Sequence, residues 1–109
     1  MKIQNIIKAI QDGTVRISDH ARDEAREDSL LLKDIFFSVC NGEIIEDYPA
    51  DKPYPSCLIY GITENARPIH SVWAYNREKQ KAILITVYAP DPERWIAFKQ
   101  RRKKYEISE

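Results

Sequence analysis

The chain has little glycine and little cysteine, and the low content of each residue excludes certain kinds of site. Only three of its 109 residues are glycine, so a glycine-rich phosphate-binding loop is excluded. The two cysteines, Cys40 and Cys57, are too few for a disulfide framework in a chain of this size. Because both lie in apolar runs, we expect both to be reduced core residues of a cytoplasmic protein.

Long apolar runs are also missing. No segment approaches the roughly 20 apolar residues that span a bilayer, and the N-terminus lacks an apolar signal core, so we expect no contact with a membrane. An apolar fraction of 43% and a charged fraction of 31% are typical of a globular protein. The length predicts a single domain, residues 1–109, built around one core.

The net charge of zero hides an asymmetry between the two halves of the chain. Residues 1–51 carry 6 basic and 11 acidic side chains, whereas residues 52–109 carry 11 basic and 6 acidic ones. Six basic residues fall within 94–104 with no acid among them: Arg94, Lys99, Arg101, Arg102, Lys103 and Lys104. A neutral domain with one basic edge can still bind a polyanion.

Helical spacing repeats in three segments near the N-terminus. The first is marked by isoleucines at i, i+3, i+4 and i+7, and Gly13 is placed to end it. The second begins at Ser18 or Asp19 and runs to about residue 28. The third follows Ser29, a further N-cap candidate, and stops at Asn41 and the glycine after it.

Strand-like segments then follow one another at 43–48, 56–62, 69–75 and 82–88. After them, Asp91 and Pro92 favour a last, basic helix that Trp95 and Phe98 would dock on the sheet. Helices followed by sequential strands predict an α+β fold. We expect N-terminal helices packed on a four-stranded antiparallel sheet, with a basic C-terminal helix.

His20 opens the predicted second helix, with carboxylates three and four residues later at Asp23 and Glu24. A carboxylate within reach can fix the tautomer of the imidazole and raise its basicity. Arg22 and Arg26 flank it and, with the helix N-terminus, could hold a phosphate. The alternative is a surface histidine that packs over small residues of a charged helix.

His70 lies in the predicted third strand, and the face it occupies depends on the register of the last hairpin. If Tyr75 pairs with Ala82, His70 points into the core; if Tyr75 pairs with Ile83, His70 lies opposite Tyr88. A buried, hydrogen-bonded histidine is the alternative to a catalytic one. Tyr88 ends its strand beside a loop, where functional groups are common, although an aromatic that closes the core fits equally.

Arginines supply the remaining candidates for a phosphate-binding site. Arg67 begins the third strand, and Arg101 and Arg102 belong to the predicted basic helix, where the alternative is a solvated helix end. The possible soft metal ligands do not have metal-binding spacing, since neither CxxC nor HxxxH occurs. We therefore predict no metal and no cofactor.

Five short segments together resemble one known family. Their sequences are ISDHAR at 17–22, NGEIIEDYP at 41–49, YPSCL at 54–58, RPIH at 67–70 and ITVYAPD at 85–91, with Trp95 after them. The pattern is similar to the domain-of-unknown-function family numbered 4258, which is commonly grouped with the RelE/MqsR-like toxins of bacterial toxin–antitoxin modules. The resemblance covers roughly residues 15–98.

This resemblance implies a RelE-like fold and a metal-independent endoribonuclease that acts on messenger RNA. It implies a cognate antitoxin as the protein partner, while the oligomeric state stays open. The residues that match the family pattern would act as the catalytic groups His20, His70 and Tyr88. The arginines that would bind the RNA substrate are Arg22 and Arg67 within the matching segments, together with Arg101 and Arg102 from the basic cluster outside them.

The implied chemistry is transesterification. A general base takes the 2′-OH proton, the oxygen attacks the adjacent phosphorus, and an acid protonates the leaving 5′-oxygen while arginines stabilise the added charge. Two alternatives stand beside it: a non-catalytic protein-binding module, and an orphan family member without retained activity. The neutral net charge favours protein binding over strong, sequence-blind RNA binding.

Overall fold

The computed structural model describes residues 1–103 of the chain and contains three helices and seven strands. In chain order the elements are α1 (Ile3–Asp12), β1 (Val15–Ile17), α2 (Asp19–Glu27), α3 (Leu32–Cys40), β2 (Glu43–Tyr48), β3 (Ser56–Ile62), β4 (Pro68–Asn76), β5 (Lys81–Tyr88), β6 (Trp95–Ile96) and β7 (Gln100–Arg101). The α+β class is confirmed. None of the helices within the described range is long and apolar enough to cross a membrane.

The main sheet has five strands in the order β1-β5-β4-β3-β2. Strand β1 runs parallel to β5, and every other neighbouring pair in this sheet is antiparallel. The predicted four-stranded antiparallel sheet is therefore wrong by one strand. Val15–Ile17 is only three residues long, too short to show the alternation that identifies a strand.

The three helices pack on one face of this sheet and enclose the main core. Gly13 ends α1 in the left-handed conformation with φ 73°, as its position after the isoleucine repeat predicts. Cys57 is fully buried in the core, whereas Cys40 is exposed at the end of α3. The expectation of two core cysteines is right for Cys57 and wrong for Cys40.

Helix α2 lies along the outer edge of β5 and satisfies its free backbone groups. The Ser18 hydroxyl caps the helix by accepting from the Ala21 N–H (3.0 Å) and donates to the carbonyl of Ile85 (2.9 Å). A carboxylate oxygen of Glu24 accepts from the N–H of Val87 (3.1 Å). Because an unpaired strand edge invites aggregation, these polar side chains protect β5 beyond the end of β1.

Helix α3 begins later than the sequence suggests. Ser29 is not its N-cap, because it adopts a left-handed φ of 55° and the helix starts at Leu32. The Leu31 N–H is instead satisfied by the Asp34 carboxylate at 3.0 Å.

A bulge between β4 and β5 reconciles the two registers that the sequence leaves open. Tyr75 pairs with Ala82 near the turn, yet His70 pairs with Tyr88 at the far end, because Ile85 is skipped. An extra residue in one strand shifts every later residue to the opposite face. The bulge in β5 thus brings Tyr88 to the face that carries His70. This face points away from the helices, because Ile69 and Trp73 on the opposite face of β4 pack in the helix-side core.

The C-terminal segment forms a hairpin where the sequence predicts a basic helix. Strands β6 and β7 pair with each other, and the turn between them holds Ala97 and Phe98 at φ 51° and 62°. The helix prediction is wrong, although Trp95 and Phe98 do dock on the sheet. We call residues 91–103 the C-terminal strap; Lys104, the last residue of the basic cluster, lies outside the described residues.

The close approach of α3 to the sheet depends on Gly61 in β3. A Cβ at this position would lie 1.8 Å from the backbone carbonyl oxygen of Ser38 in α3. No residue with a Cβ therefore fits at this position unless α3 moves.

We predict that Gly61→Ala lowers the free energy of unfolding by about 3 kcal/mol, because the added methyl group forces α3 away from the sheet. Urea denaturation of the purified protein measures the change. Gly13→Ala is the matched control: nothing lies within 4 Å of its added Cβ, so only its left-handed φ is strained, at about 1 kcal/mol. Equal losses in the two variants would contradict this packing.

Candidate active site on the outer sheet face

The face of the sheet that points away from the helices, here the outer face, carries a row of polar and aromatic side chains. Glu43 pairs with Tyr60, Tyr60 with His70, and His70 with Tyr88. Residues directly opposite each other on neighbouring strands point to the same face. We call these four residues the outer-face row; it crosses four strands.

His70 is held at both ring nitrogens. Its Nε2 bonds to the backbone carbonyl of Phe98, and its Nδ1 lies 3.1 Å from the Tyr88 hydroxyl. A carbonyl oxygen only accepts, so Nε2 carries the hydrogen. In the neutral ring Nδ1 is then the acceptor, and the Tyr88 hydroxyl donates to it.

Aromatic rings enclose His70 completely. Trp95 meets the imidazole edge to face at 4.4 Å between ring centres, and Tyr60 does so from the other side at 6.0 Å. The side chain is fully buried, beneath the C-terminal strap and not beneath the helices. The pKa of His70 is lowered from its ordinary value, because burial disfavours the charged imidazolium more than the Phe98 carbonyl and the Glu46 charge favour it.

An ion pair borders the row on the strap side. The Arg101 guanidinium donates to both carboxylate oxygens of Glu46, at 2.8 and 3.1 Å, and lies 4.7 Å from the centre of the Trp95 ring. Tyr48 also donates to Glu46. Burial alone would raise the pKa of Glu46, but the hydrogen bonds from Arg101 and Tyr48 outweigh it and the pKa is lowered.

Tyr88 is half-buried and has charged surroundings. Burial raises the pKa of Tyr88, the positive charge of Arg101 opposes the shift, and the carboxylates of Glu46 and Glu24 add to it. The phenol therefore stays protonated near neutral pH and keeps its role as a hydrogen-bond donor.

His20 lies on α2 and has no described contact with the outer-face row. Its side chain is 69% exposed and its Nε2 is 3.2 Å from a carboxylate oxygen of Glu24. The same oxygen accepts from the Thr86 hydroxyl, two residues before Tyr88 in β5. A single carboxylate thus connects the predicted catalytic residue His20 to the strand that carries Tyr88.

The structure describes all four predicted arginines, and it brings Arg101 alone among them to the His70 site. Arg22 lines a groove between α2 and α3. Arg67 lies in the turn before β4, where its backbone N–H donates to the Thr63 hydroxyl at 3.1 Å. Arg102 bonds to the carbonyl of Pro92 within the strap at 3.2 Å.

Sequence reasoning missed Tyr60 and Glu46. The position of Tyr60 depends on the length of the turn between β3 and β4. Ile62 pairs with Pro68, which leaves five residues in the turn and sets Tyr60 opposite His70. A four-residue turn would set Tyr60 opposite Ile69 instead. Glu46 reaches the outer face through an irregularity in β2 between Ile44 and Glu46. No residue type in the sequence marks that irregularity.

Within residues 1–103, no group of three or more His, Cys, Asp or Glu side chains is arranged to hold a metal ion. The polar groups of the site are instead paired with one another and with the strap.

We predict that the free energy of unfolding falls as the pH drops below about 6.5, because the unfolded chain then takes up a proton that folded His70 resists. His70 contributes this stability above the unfolded pKa and loses it as the pH falls toward the lowered folded pKa. The slope is at most about 1.4 kcal/mol per pH unit for one proton.

Urea denaturation of the wild type and His70→Gln, from about pH 7.5 to about pH 5, isolates this contribution. The variant should lose less stability than the wild type over that range. His20→Gln, which removes the exposed histidine, is the matched control. Parallel curves for the wild type and His70→Gln would contradict the placement of His70.

A family model described as a domain of unknown function, DUF4258, matches residues 17–89. The matched segment begins at the last residue of β1 and ends just after β5, so it contains the outer-face row and leaves out the C-terminal strap. No match was found among curated proteins or among solved structures. Because the matched segment is well over half of the chain, this protein belongs to the DUF4258 family of domains of unknown function.

Proposed function

We propose that this protein is a metal-independent endoribonuclease, the toxin of a bacterial toxin–antitoxin module, that cleaves messenger RNA at the outer face of its sheet. The observation that carries the proposal is the His70–Tyr88 pair. The two side chains lie directly opposite each other and are 3.1 Å apart. The resemblance to the toxin-like family supplies the substrate class.

The Tyr88 hydroxyl suits His70 to proton transfer. A phenol both donates and accepts, so it can bond to Nδ1 whether or not that nitrogen carries a hydrogen. Once the Phe98 carbonyl leaves Nε2, the ring hydrogen can move to Nδ1 and be donated to the Tyr88 oxygen, so that the lone pair of Nε2 is free to take a proton. His70 therefore acts as the general base that removes the 2′-OH proton of RNA.

The proposed reaction forms one bond to phosphorus, breaks another and moves two protons. The 2′-oxygen bonds to phosphorus, the bond from phosphorus to the 5′-oxygen breaks, and an acid protonates that oxygen. The products are a 2′,3′-cyclic phosphate and a free 5′-hydroxyl. We assign His20 as the second acid–base group, and Arg22, Arg67, Arg101 and Arg102 as the side chains that contact the phosphates of the RNA.

We predict that the purified protein cleaves single-stranded RNA in the presence of EDTA and that His70→Gln lowers the rate about 10²- to 10⁴-fold, the usual range for loss of an acid–base group. Tyr88→Phe should reduce the rate less, since it removes one hydrogen bond and keeps the ring. Gel analysis of a labelled RNA measures the rate, and the 2′,3′-cyclic phosphate identifies the chemistry.

Tyr75→Phe is the matched control for Tyr88→Phe, because it also removes a tyrosine hydroxyl group. Tyr75 lies in β4 at the end far from His70. Equal cleavage by the wild type and His70→Gln would reject the assignment of His70. Cleavage by His20→Ala at the wild-type rate would remove His20 from the mechanism and leave the His70–Tyr88 pair in place.

A second candidate function, non-catalytic protein binding, is favoured by a groove between α2 and α3. The groove has a volume of about 470 Å³ and is bordered by Arg22 and Arg26. Leu31 and Leu32 beside it are 60% and 38% exposed. An apolar groove edged by arginines suits an acidic, amphipathic segment such as an antitoxin would offer.

We predict that Leu31→Asp weakens binding of the cognate antitoxin at least tenfold, because it puts a charge into the apolar contact. Co-expression with the protein encoded by the adjacent gene, followed by affinity measurement, tests this. Ile62→Asp, which alters an exposed apolar residue of β3 (40% exposed), is the control. Unchanged affinity in Leu31→Asp would exclude the groove as the binding surface.

A further inference from the structure

The C-terminal strap covers the outer-face row residue by residue. The Lys99 ammonium lies 3.3 Å from the Glu43 carboxylate. The Phe98 ring stacks nearly parallel to Tyr60, at an interplanar angle of 18° and 6.4 Å between centres, while the Phe98 carbonyl accepts from His70. Two adjacent strap residues, Phe98 and Lys99, thus contact three of the four row residues: Glu43, Tyr60 and His70.

The strap is attached through side chains and one carbonyl, not through the ladder of the main sheet. Its strands β6 and β7 form a separate two-stranded sheet. Besides the packing of Trp95 and Phe98, two ion pairs hold it: the bidentate pair of Arg101 with Glu46, and the exposed pair of Lys99 with Glu43, which contributes little in water. The strap can therefore leave the outer face while every strand of the main sheet stays paired.

The turn of the strap is strained in the covered state. Ala97 and Phe98 both have positive φ, which two-residue hairpin turns require but which Asn and Gly normally supply. Residues with a Cβ adopt this conformation at an energetic cost. A two-stranded hairpin without packing on a sheet is marginally stable at best, so the hairpin opens once the strap leaves the sheet. Opening relieves that cost, which makes release less unfavourable.

The strap presents to the row the groups that an RNA strand would present. A flat ring stacks on Tyr60, and aromatic side chains of this kind stack nucleobases regardless of sequence. The Phe98 carbonyl oxygen lies at Nε2 of His70, the position that the oxygen of a 2′-hydroxyl group would take in the proposed reaction. The ring and the oxygen both belong to one residue, Phe98.

We propose that the C-terminal strap is an autoinhibitory segment that occupies the RNA-binding surface, and that Tyr60 is the platform on which a base of single-stranded RNA stacks when Phe98 leaves. This inference rests on the proposed ribonuclease function and adds a binding residue and a means of regulation to it. While the strap is closed, the measured affinity for RNA is reduced by the fraction of molecules that are open.

Phe98→Ala tests the proposal without changing the net charge. Binding of a fluorescent single-stranded RNA octamer is measured by anisotropy at fixed salt, with the full chain. Because the variant removes the ring that covers Tyr60, we expect the Kd to fall about fivefold. Phe37→Ala, the same truncation in α3 on the helix side of the sheet, is the matched control and should bind RNA as the wild type does.

A second substitution tests the platform. In the Phe98→Ala background, Tyr60→Ala should raise the Kd about tenfold, since loss of one base-stacking side chain typically weakens binding by that order. Acrylamide quenching of tryptophan fluorescence reports opening independently of RNA. Trp95 becomes accessible when the strap leaves, while Trp73 stays fully buried in the core.

Weaker RNA binding by Phe98→Ala than by the wild type would overturn the proposal, because Phe98 would then be part of the RNA contact and not its competitor. An unchanged Kd in both Phe98→Ala and the double variant would overturn it as well. If the wild type cleaves RNA and Phe98→Ala cleaves no faster, the strap proposal alone fails. If no variant binds or cleaves RNA, the proposed function fails and this inference falls with it.

Discussion

The hydrogen bond between His70 and the Phe98 carbonyl joins the sheet to the C-terminal strap, and the state of the site depends on it. It fixes the hydrogen on Nε2, so Nδ1 must accept from Tyr88. It also positions the Phe98 ring against Tyr60. Burial beneath the strap lowers the pKa of His70, although the hydrogen bond itself opposes that shift. Loss of the hydrogen bond would release the strap and free the nitrogen that the proposed chemistry needs.

The sheet supplies the rigid part of this arrangement. Four strands place one residue each in a single row, and α2 holds the edge of β5 through Glu24, whose carboxylate also reaches His20. The reactive pair therefore lies on regular strands, whereas the segment that covers it is a short hairpin outside the matched family domain. In the proposed mechanism, a rigid site beneath a detachable strap would separate the chemistry from its control.

Much of the fold follows from sequence pattern, and the exceptions have physical causes. The isoleucine repeat and Gly13 predict α1 correctly, because those signals are local. The strap was predicted as a helix because Asp91 and Pro92 are a helix start signal; contacts of Trp95 and Phe98 with the outer face override that preference. His70 and Tyr88 were identified from the sequence, but their pairing depends on a bulge that no local pattern encodes.

Amide hydrogen exchange of the strap with and without single-stranded RNA tests the central claim most directly. In the free protein the N–H of Lys99 is bonded to the Ile96 carbonyl and that of Arg102 to the Arg94 carbonyl. If RNA takes the place of the strap, exchange at these two amides accelerates when RNA binds, while the amides of β4 and β5 stay protected. Slower exchange at Lys99 and Arg102 on RNA binding would show that the strap closes over the RNA, and would contradict the account.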